Sequence, residues 1–319
     1  MKFRTEITIA PSPWKIDHRS RIVTIGSCFA DSVACRMKDG GLGVCANPLG
    51  EMFNPESIVA TVERLAGGEM FTTEDLCRRG EVWFAYDSHG AFDGVDAERV
   101  VEALNAAVRK GGEALTEADT VVLTLGTAWV FERDGRVVAN CHKMPSGEFV
   151  RRRLSVEEVV ATLARAIEGP LCGKRVVLTV SPVRHLADGL AGNAVSKSIL
   201  RVAAELLTER YESVSYFPSY EIVLDDLRDY RFAAADLVHP TEQAVEYVWE
   251  RFAECYMDAH TREVCGRVAA LHRAMNHRPL HGPTEEWKAF KATMLRKARE
   301  LQAEAKECDL SAEIAFFEE

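Results

Sequence analysis

The chain is predicted to be an α/β protein built on an open parallel sheet with helices on both faces. Three observations carry that expectation. Short, nearly continuous apolar runs recur along the chain, each opening on polar residues and closing at Gly, Ser or Pro. Stretches with helical spacing separate them, and the alternation lasts for about 230 residues, too regular for separate all-α and all-β regions.

Four runs are expected as strands: RIVTIG (21–26), TVVLTLG (120–126), RVVLTVSP (175–182) and SVSYFPS (213–219). Helices are expected over Asp31 to Lys38, Asn54 to Ala66, Ala97 to Lys110, Ser155 to Ile167 and Asn193 to Arg210. A further helix follows His239-Pro240, with Pro240 in its first turn, where no backbone N–H is needed. WVFERDGRVVAN reads as a hairpin turning at Asp134-Gly135. The Gly-Gly pairs at 40–41, 67–68 and 111–112 read as helix ends. From about residue 260 strand-like runs become scarce. Residues 283–307 read as a long amphipathic helix capped at Thr284, which packs back on the sheet domain or joins a second copy of the chain.

Composition narrows the function. The chain has 319 residues, 47% hydrophobic and 28% charged, with a net charge of -10. Its acidity argues against nucleic acid as a general partner. The start of the chain lacks a signal-peptide core, and the longest apolar stretch, near Thr120 to Phe131, is too short to span a bilayer; a cytoplasmic protein is expected. The nine cysteines are odd in number and scattered, without CxxC, so neither a disulfide framework nor a zinc site is expected, and most thiols are expected to pack as small hydrophobes. No GxGxxG or GxxxxGK[ST] accompanies a strand, so no nucleotide cofactor is expected.

Open parallel sheets bind ligands at the carboxyl ends of their strands. Two features there carry chemistry. Gly26-Ser27 closes the first strand and opens a helix, whose free N–H groups and dipole favour an oxyanion, although serine is also a preferred helix cap. AADLVHPTEQ places Asp236 three residues before His239, a spacing that lets the carboxylate fold back on the ring nitrogen facing away from a nucleophile. Cys28 competes as nucleophile, with packing as its plainer role. His142, Arg184, His185, Tyr230 and Arg231 sit on loops assigned to the same edge and are candidates for binding an anionic acyl acceptor or carrier. Ser196 and Lys197 admit a Ser-Lys dyad, but their place early in a helix reads as an ordinary solvated face.

IGSCFADSV resembles the signature of the GSCFA family. The resemblance runs from about Thr24 to Phe252 through NPLGEMFNPESI (47–58), LGTAWVFE (125–132), VVANCHKMP (137–145), RRRLSVEE (151–158), TVSPVRH (179–185), YFPSYEI (216–222) and LRDYRFAAADLVHP (227–240). The family is grouped with SGNH (GDSL-like) hydrolases. That grouping implies a flavodoxin-like three-layer α/β/α sandwich, here over residues 1–258, with a helical C-terminal extension over 259–319. It implies a Ser-His-Asp triad of Ser27, His239 and Asp236, and no metal or other cofactor. The oxyanion donors are expected among the Ser27 N–H, Gly50, Asn47, Asn54 and Thr127. The third-block GxN asparagine is missing, since Gly126-Thr127-Ala128 stands there. Three functions follow. The first is hydrolysis of a small acyl ester or an acylated glycan or lipid through an acyl-enzyme. The second is acyl transfer to a sugar, lipid or amine by the same residues. The third is a non-catalytic binding module on a degenerate fold.

Overall fold

A computed structural model describes residues 4–277 and 284–318. The sheet is built from β1 (Arg21–Gly26), β2 (Gly43–Ala46), β5 (Thr120–Leu125), β9 (Arg175–Val180) and β10 (Val214–Phe217), all parallel, in the order β10-β9-β5-β1-β2. This is the flavodoxin-like order, which reverses direction between β1 and β5 and opens a crevice at their carboxyl ends. Ser27 follows β1 at that reversal.

Between the strands run α1 (Cys28–Asp39), α2 (Pro55–Gly67), α3 (Ala97–Glu117), α4 (Val156–Glu168) and α5 (Gly189–Arg210), and a single turn, α6 (Ser219–Glu221), follows β10. Two small antiparallel sheets are inserted, β3 (Cys77–Arg79) with β4 (Val82–Phe84), and β6 (Trp129–Arg133) between β7 (Arg136–Val138) and β8 (Val150–Arg153). The hairpin turning at Asp134-Gly135 is β6–β7, and Asp134 takes the left-handed conformation.

Alternation along the strands builds one core on each face. Val23, Ile25, Val121, Leu123 and Leu178 pack with α2, α3, α4 and α5. Ile22, Val122 and Val177 pack with Phe29 and Met37 of α1 and with Val248 and Phe252 of α7 (Glu242–Tyr256). Burial on both faces is why these strands read as unbroken apolar runs. The C-terminal helices α8 (Ala259–Met275), α9 (Glu285–Glu304) and α10 (Ser311–Glu318) share a third cluster around Val264, Val268, Leu271, Ala298 and Leu301. Thr284 caps α9, its hydroxyl accepting the Trp287 N–H; Pro283, where the tail helix was expected to begin, lies outside the described residues.

Several expectations are corrected. The sheet has a fifth strand, β2, with Gly43 exposed and its other three residues only partly buried. The Gly111-Gly112 pair lies inside α3, not at its end. A β-carbon on Gly111 would stand 2.6 Å from Pro48 Cβ and 2.7 Å from Leu65 Cδ2, so the glycine lets the loop after β2 and α2 approach. Pro240 precedes the N-cap Thr241 and pairs with Ala233 in an isolated bridge, so it stands outside the helix. Only Cys255, Cys265 and Cys308 are fully buried; Cys35 and Cys172 are exposed.

Candidate functional site

The site begins where β1 meets α1. Gly26 is held against β5, and a β-carbon there would lie 2.7 Å from Thr124 Cβ and closer still to Thr124 O, so only glycine lets the strand end so near its neighbour. Ser27 takes the N-cap position of α1, with φ -70° and ψ 174°, yet its hydroxyl makes no cap hydrogen bond. It is 2% exposed, and Oγ has no hydrogen-bond partner among the described residues. A serine placed for capping gives its oxygen to a free helical N–H. This one is uncommitted, and a buried polar atom left unpaired normally costs about 1–3 kcal/mol.

Asn47 stands beside it. The residue follows β2 in a left-handed conformation, φ 39°, with its N–H donating to Thr24 O at 2.8 Å. Its Oδ1 accepts the Gly26 N–H at 2.8 Å. Because that partner is a donor, the facing atom is the amide oxygen, and Nδ2 is left as a buried donor with no partner among the described residues.

The other oxyanion candidates are engaged elsewhere. The Ser27 N–H reaches Thr124 O at 3.2 Å, and the Gly50 N–H closes a turn onto Asn47 O at 2.8 Å. Asn54 caps α2, accepting the Ser57 N–H and donating to Ser57 Oγ. Thr127 Oγ1 accepts the Trp129 N–H and pairs with Ser196 Oγ, and the Gly126 and Thr127 N–H groups both go to Phe53 O.

Helix α5 holds that third loop from behind. Ser196 Oγ accepts the Ala128 N–H at 2.8 Å. Lys197 Nζ donates to Gly126 O at 2.6 Å and to Ser181 O at 2.7 Å. Both side chains are buried, so the expected solvated face is corrected. Lys197 has no carboxylate partner among the described residues, and burial brings its pKa down to about 7.

Asp236 and His239 meet as their spacing suggested. One carboxylate oxygen accepts the N–H groups of Val238 and His239; the other lies 2.7 Å from His239 Nδ1. These bonds, the imidazole first, pull the Asp236 pKa down to about 2. The turn requires Leu237 in the left-handed region, φ 60°. With Nδ1 at the carboxylate, Nε2 is the ring nitrogen on the side away from Asp236. The pair is about half exposed, whereas Ser27 is buried, and no hydrogen bond joins Ser27 Oγ to His239.

Cys28 opens α1. Burial, with Glu51 nearby, holds its thiol above the usual range, which disfavours the thiolate. Arg184 and Tyr230 flank His239 in one recess, the Arg184 guanidinium 5.4 Å from the Tyr230 ring centre. Arg231 turns to Asp229. His185 sits at Asp188, its pKa lowered chiefly by burial. His142 is not at the strand edge: it is 3% exposed, stacked on Phe84, with ring nitrogens at Asp93 and Ser88 O. Sequence reasoning missed Arg228, which also lines the recess. Its signal would have been the backbone, since it takes φ 38° directly after a π-helical turn, Ile222–Leu227.

No helix among the described residues is long and apolar enough to cross a membrane, and no cluster of His, Cys, Asp or Glu there has metal-holding geometry. No curated protein matches the chain. Among solved structures, one from Streptococcus pneumonia whose description names a platelet activating factor matches over 73% of this chain and 83% of that one, at 12% identity and a TM-score of 0.34. The GSCFA family model matches residues 21–252, and the model described as the GSCFA domain protein's C-terminal domain matches 268–319. The blocks around Ser27, Asn47 and His239 fall inside the first match, and the chain belongs to the GSCFA family.

Proposed function

We propose that this chain is a serine acyl-ester hydrolase of the SGNH type. The observation that carries the reading is the uncommitted hydroxyl of Ser27, buried at an N-cap position without capping, with the preceding Gly26 N–H held by Asn47, whose Nδ2 has no partner among the described residues. On this reading Ser27 Oγ attacks the ester carbonyl while His239 Nε2 takes its proton. Asp236 holds the opposite ring nitrogen and stabilises the imidazolium. Asn47 Nδ2 and the N-terminus of α1 receive the carbonyl oxygen as it becomes an oxyanion. His239 returns the proton to the leaving alkoxide, and water, activated the same way, releases the acid from the acyl-enzyme.

The chemistry requires the 232–241 loop to carry His239 to Ser27. That loop is held by Ala234 N–H to His239 O, Thr241 N–H to Phe232 O and Arg184 N–H to Val238 O, the last at 3.3 Å. Catalytic hydrogen bonds are commonly long in the empty enzyme and tighten around substrate.

The test is a fluorophosphonate probe on the folded wild type and Ser27→Ala, with an ester panel alongside. Labelling and hydrolysis that vanish in Ser27→Ala are expected. A folded wild type that neither labels nor hydrolyses any ester would overturn the reading.

A further inference from the structure

The recess beside His239 has features that the hydrolytic steps do not use. It is about 240 Å³, below the ~300–1,000 Å³ of drug-sized pockets. Its walls are apolar: Val223, Leu224, Phe232 and Leu237 line it, and Leu224 and Leu237 remain 39% and 52% exposed. Two arginines, Arg184 and Arg228, share the same lining. Neither has a carboxylate partner among the described residues. The acid in the lining, Asp229, is turned to Arg231, accepting its N–H at 2.9 Å and facing its Nε at 3.7 Å.

The backbone is unusual where it forms this recess. Ile222–Leu227 is a π-helical turn, and Arg228 and Leu237 both take positive φ. Positive-φ conformations of non-glycine residues are strained and gather at ligand clamps. π-helical turns are likewise rare and frequent at functional sites.

We propose that this recess binds an anionic amphiphile, a short alkyl chain lodged against Leu224, Phe232 and Leu237 with a phosphate or carboxylate group held by Arg184 and Arg228. Apolar walls select the chain, and two unpaired guanidinium groups select the charge, since Arg suits both anions in two-point contact. As a statement about substrate, the inference rests on His239 being the base of an esterase, because the recess adjoins that ring. As a statement about binding, it stands on the recess itself.

The experiment measures binding by calorimetry to the full-length Ser27→Ala protein, which separates binding from turnover. The probes are octyl phosphate, octanoate, the neutral octyl glucoside and inorganic phosphate. Saturable binding of octyl phosphate or octanoate is expected, at least 10-fold tighter than octyl glucoside or inorganic phosphate. The better of the two anions identifies the headgroup. Arg184→Gln and Arg228→Gln, each checked for an unchanged thermal midpoint, should weaken it by 10-fold or more; Leu224→Trp, which fills the recess, should do the same without touching charge. Equal affinity for octyl glucoside, indifference to all three variants, or no binding overturns the proposal. Wild-type labelling at Ser27 with no amphiphile binding defeats this inference alone. Binding without labelling defeats the esterase reading and leaves an anionic-amphiphile site.

Discussion

The amide oxygen of Asn47 accepts the backbone N–H of Gly26 at 2.8 Å, which ties that amide to the residue preceding Ser27. One end of the side chain is spent on structure, and the other, Nδ2, is a buried donor without a partner among the described residues. Asn47→Ala is therefore expected to lower kcat by about 10²–10³. Asn47→Asp should lose as much, since its second oxygen offers no donor and brings negative charge toward the developing oxyanion. Steady-state kinetics on a responsive ester give the answer; an unchanged kcat in Asn47→Ala would assign the oxyanion elsewhere.

The Asp236–His239 pair makes a separable prediction. Asp236→Asn removes the charge that orients the ring, and kcat should fall by on the order of 10³–10⁴ while the fold stays intact. The sign of the pH effect follows from its lowered pKa, about 2 against the ordinary 3.8. The stabilising interaction is fully present above about pH 4 and is lost only as pH falls through 2. An activity loss between pH 7 and 5 thus does not come from Asp236.

Lys197 predicts a stability change of a definite direction. Its folded pKa of about 7 lies below the ordinary 10.5, so between those values the unfolded chain binds more protons. Stability from this group rises with pH through that window. Compared by thermal unfolding, wild type should gain on Lys197→Met as pH goes from 6 to 9. The variant also strands the carbonyls of Gly126 and Ser181, a cost that does not vary with pH. A difference that stays flat with pH would show that the ammonium is not desolvated.

Cys28→Ala should leave fluorophosphonate labelling intact, because burial and Glu51 keep that thiol protonated. Labelling that disappears in Cys28→Ala and persists in Ser27→Ala would reverse the roles of the two neighbours.

Gly26→Ala should fail for a different reason, the β-carbon colliding with Thr124 across the β1–β5 seam. Overpacking of this kind costs about 1–3 kcal/mol or more. Chemical denaturation should show a lower midpoint even where activity is not measurable.

The sheet was legible because buried parallel strands are written as apolar runs, and β1, β5, β9 and β10 are such runs. The GVCA of β2 was not: it is short, begins on glycine and is half-buried at an edge, so it leaves no period to read. The Asp236–His239 turn was legible from spacing alone, because contacts within four residues need no tertiary knowledge. Lys197 was misread for the opposite reason. Its position in α5 says which way a side chain leaves the helix, but not that β5 and β9 end beneath it with two open carbonyls. Likewise Gly111 gave no sign that α3 continues through it, since the reason lies in Pro48 and Leu65. Of the oxyanion candidates, sequence could name five and rank none, because which amides remain free depends on the loops packed around them.

The unsatisfied hydroxyl of Ser27 also sets stability against activity at a single atom. A side chain with no hydroxyl would remove one of the buried unpaired polar atoms there, Asn47 Nδ2 remaining, so the Ser27→Ala protein should melt at least as high as wild type. Laboratory evolution under heat alone would then drift toward losing this oxygen, and only a screen that also demands turnover would keep it.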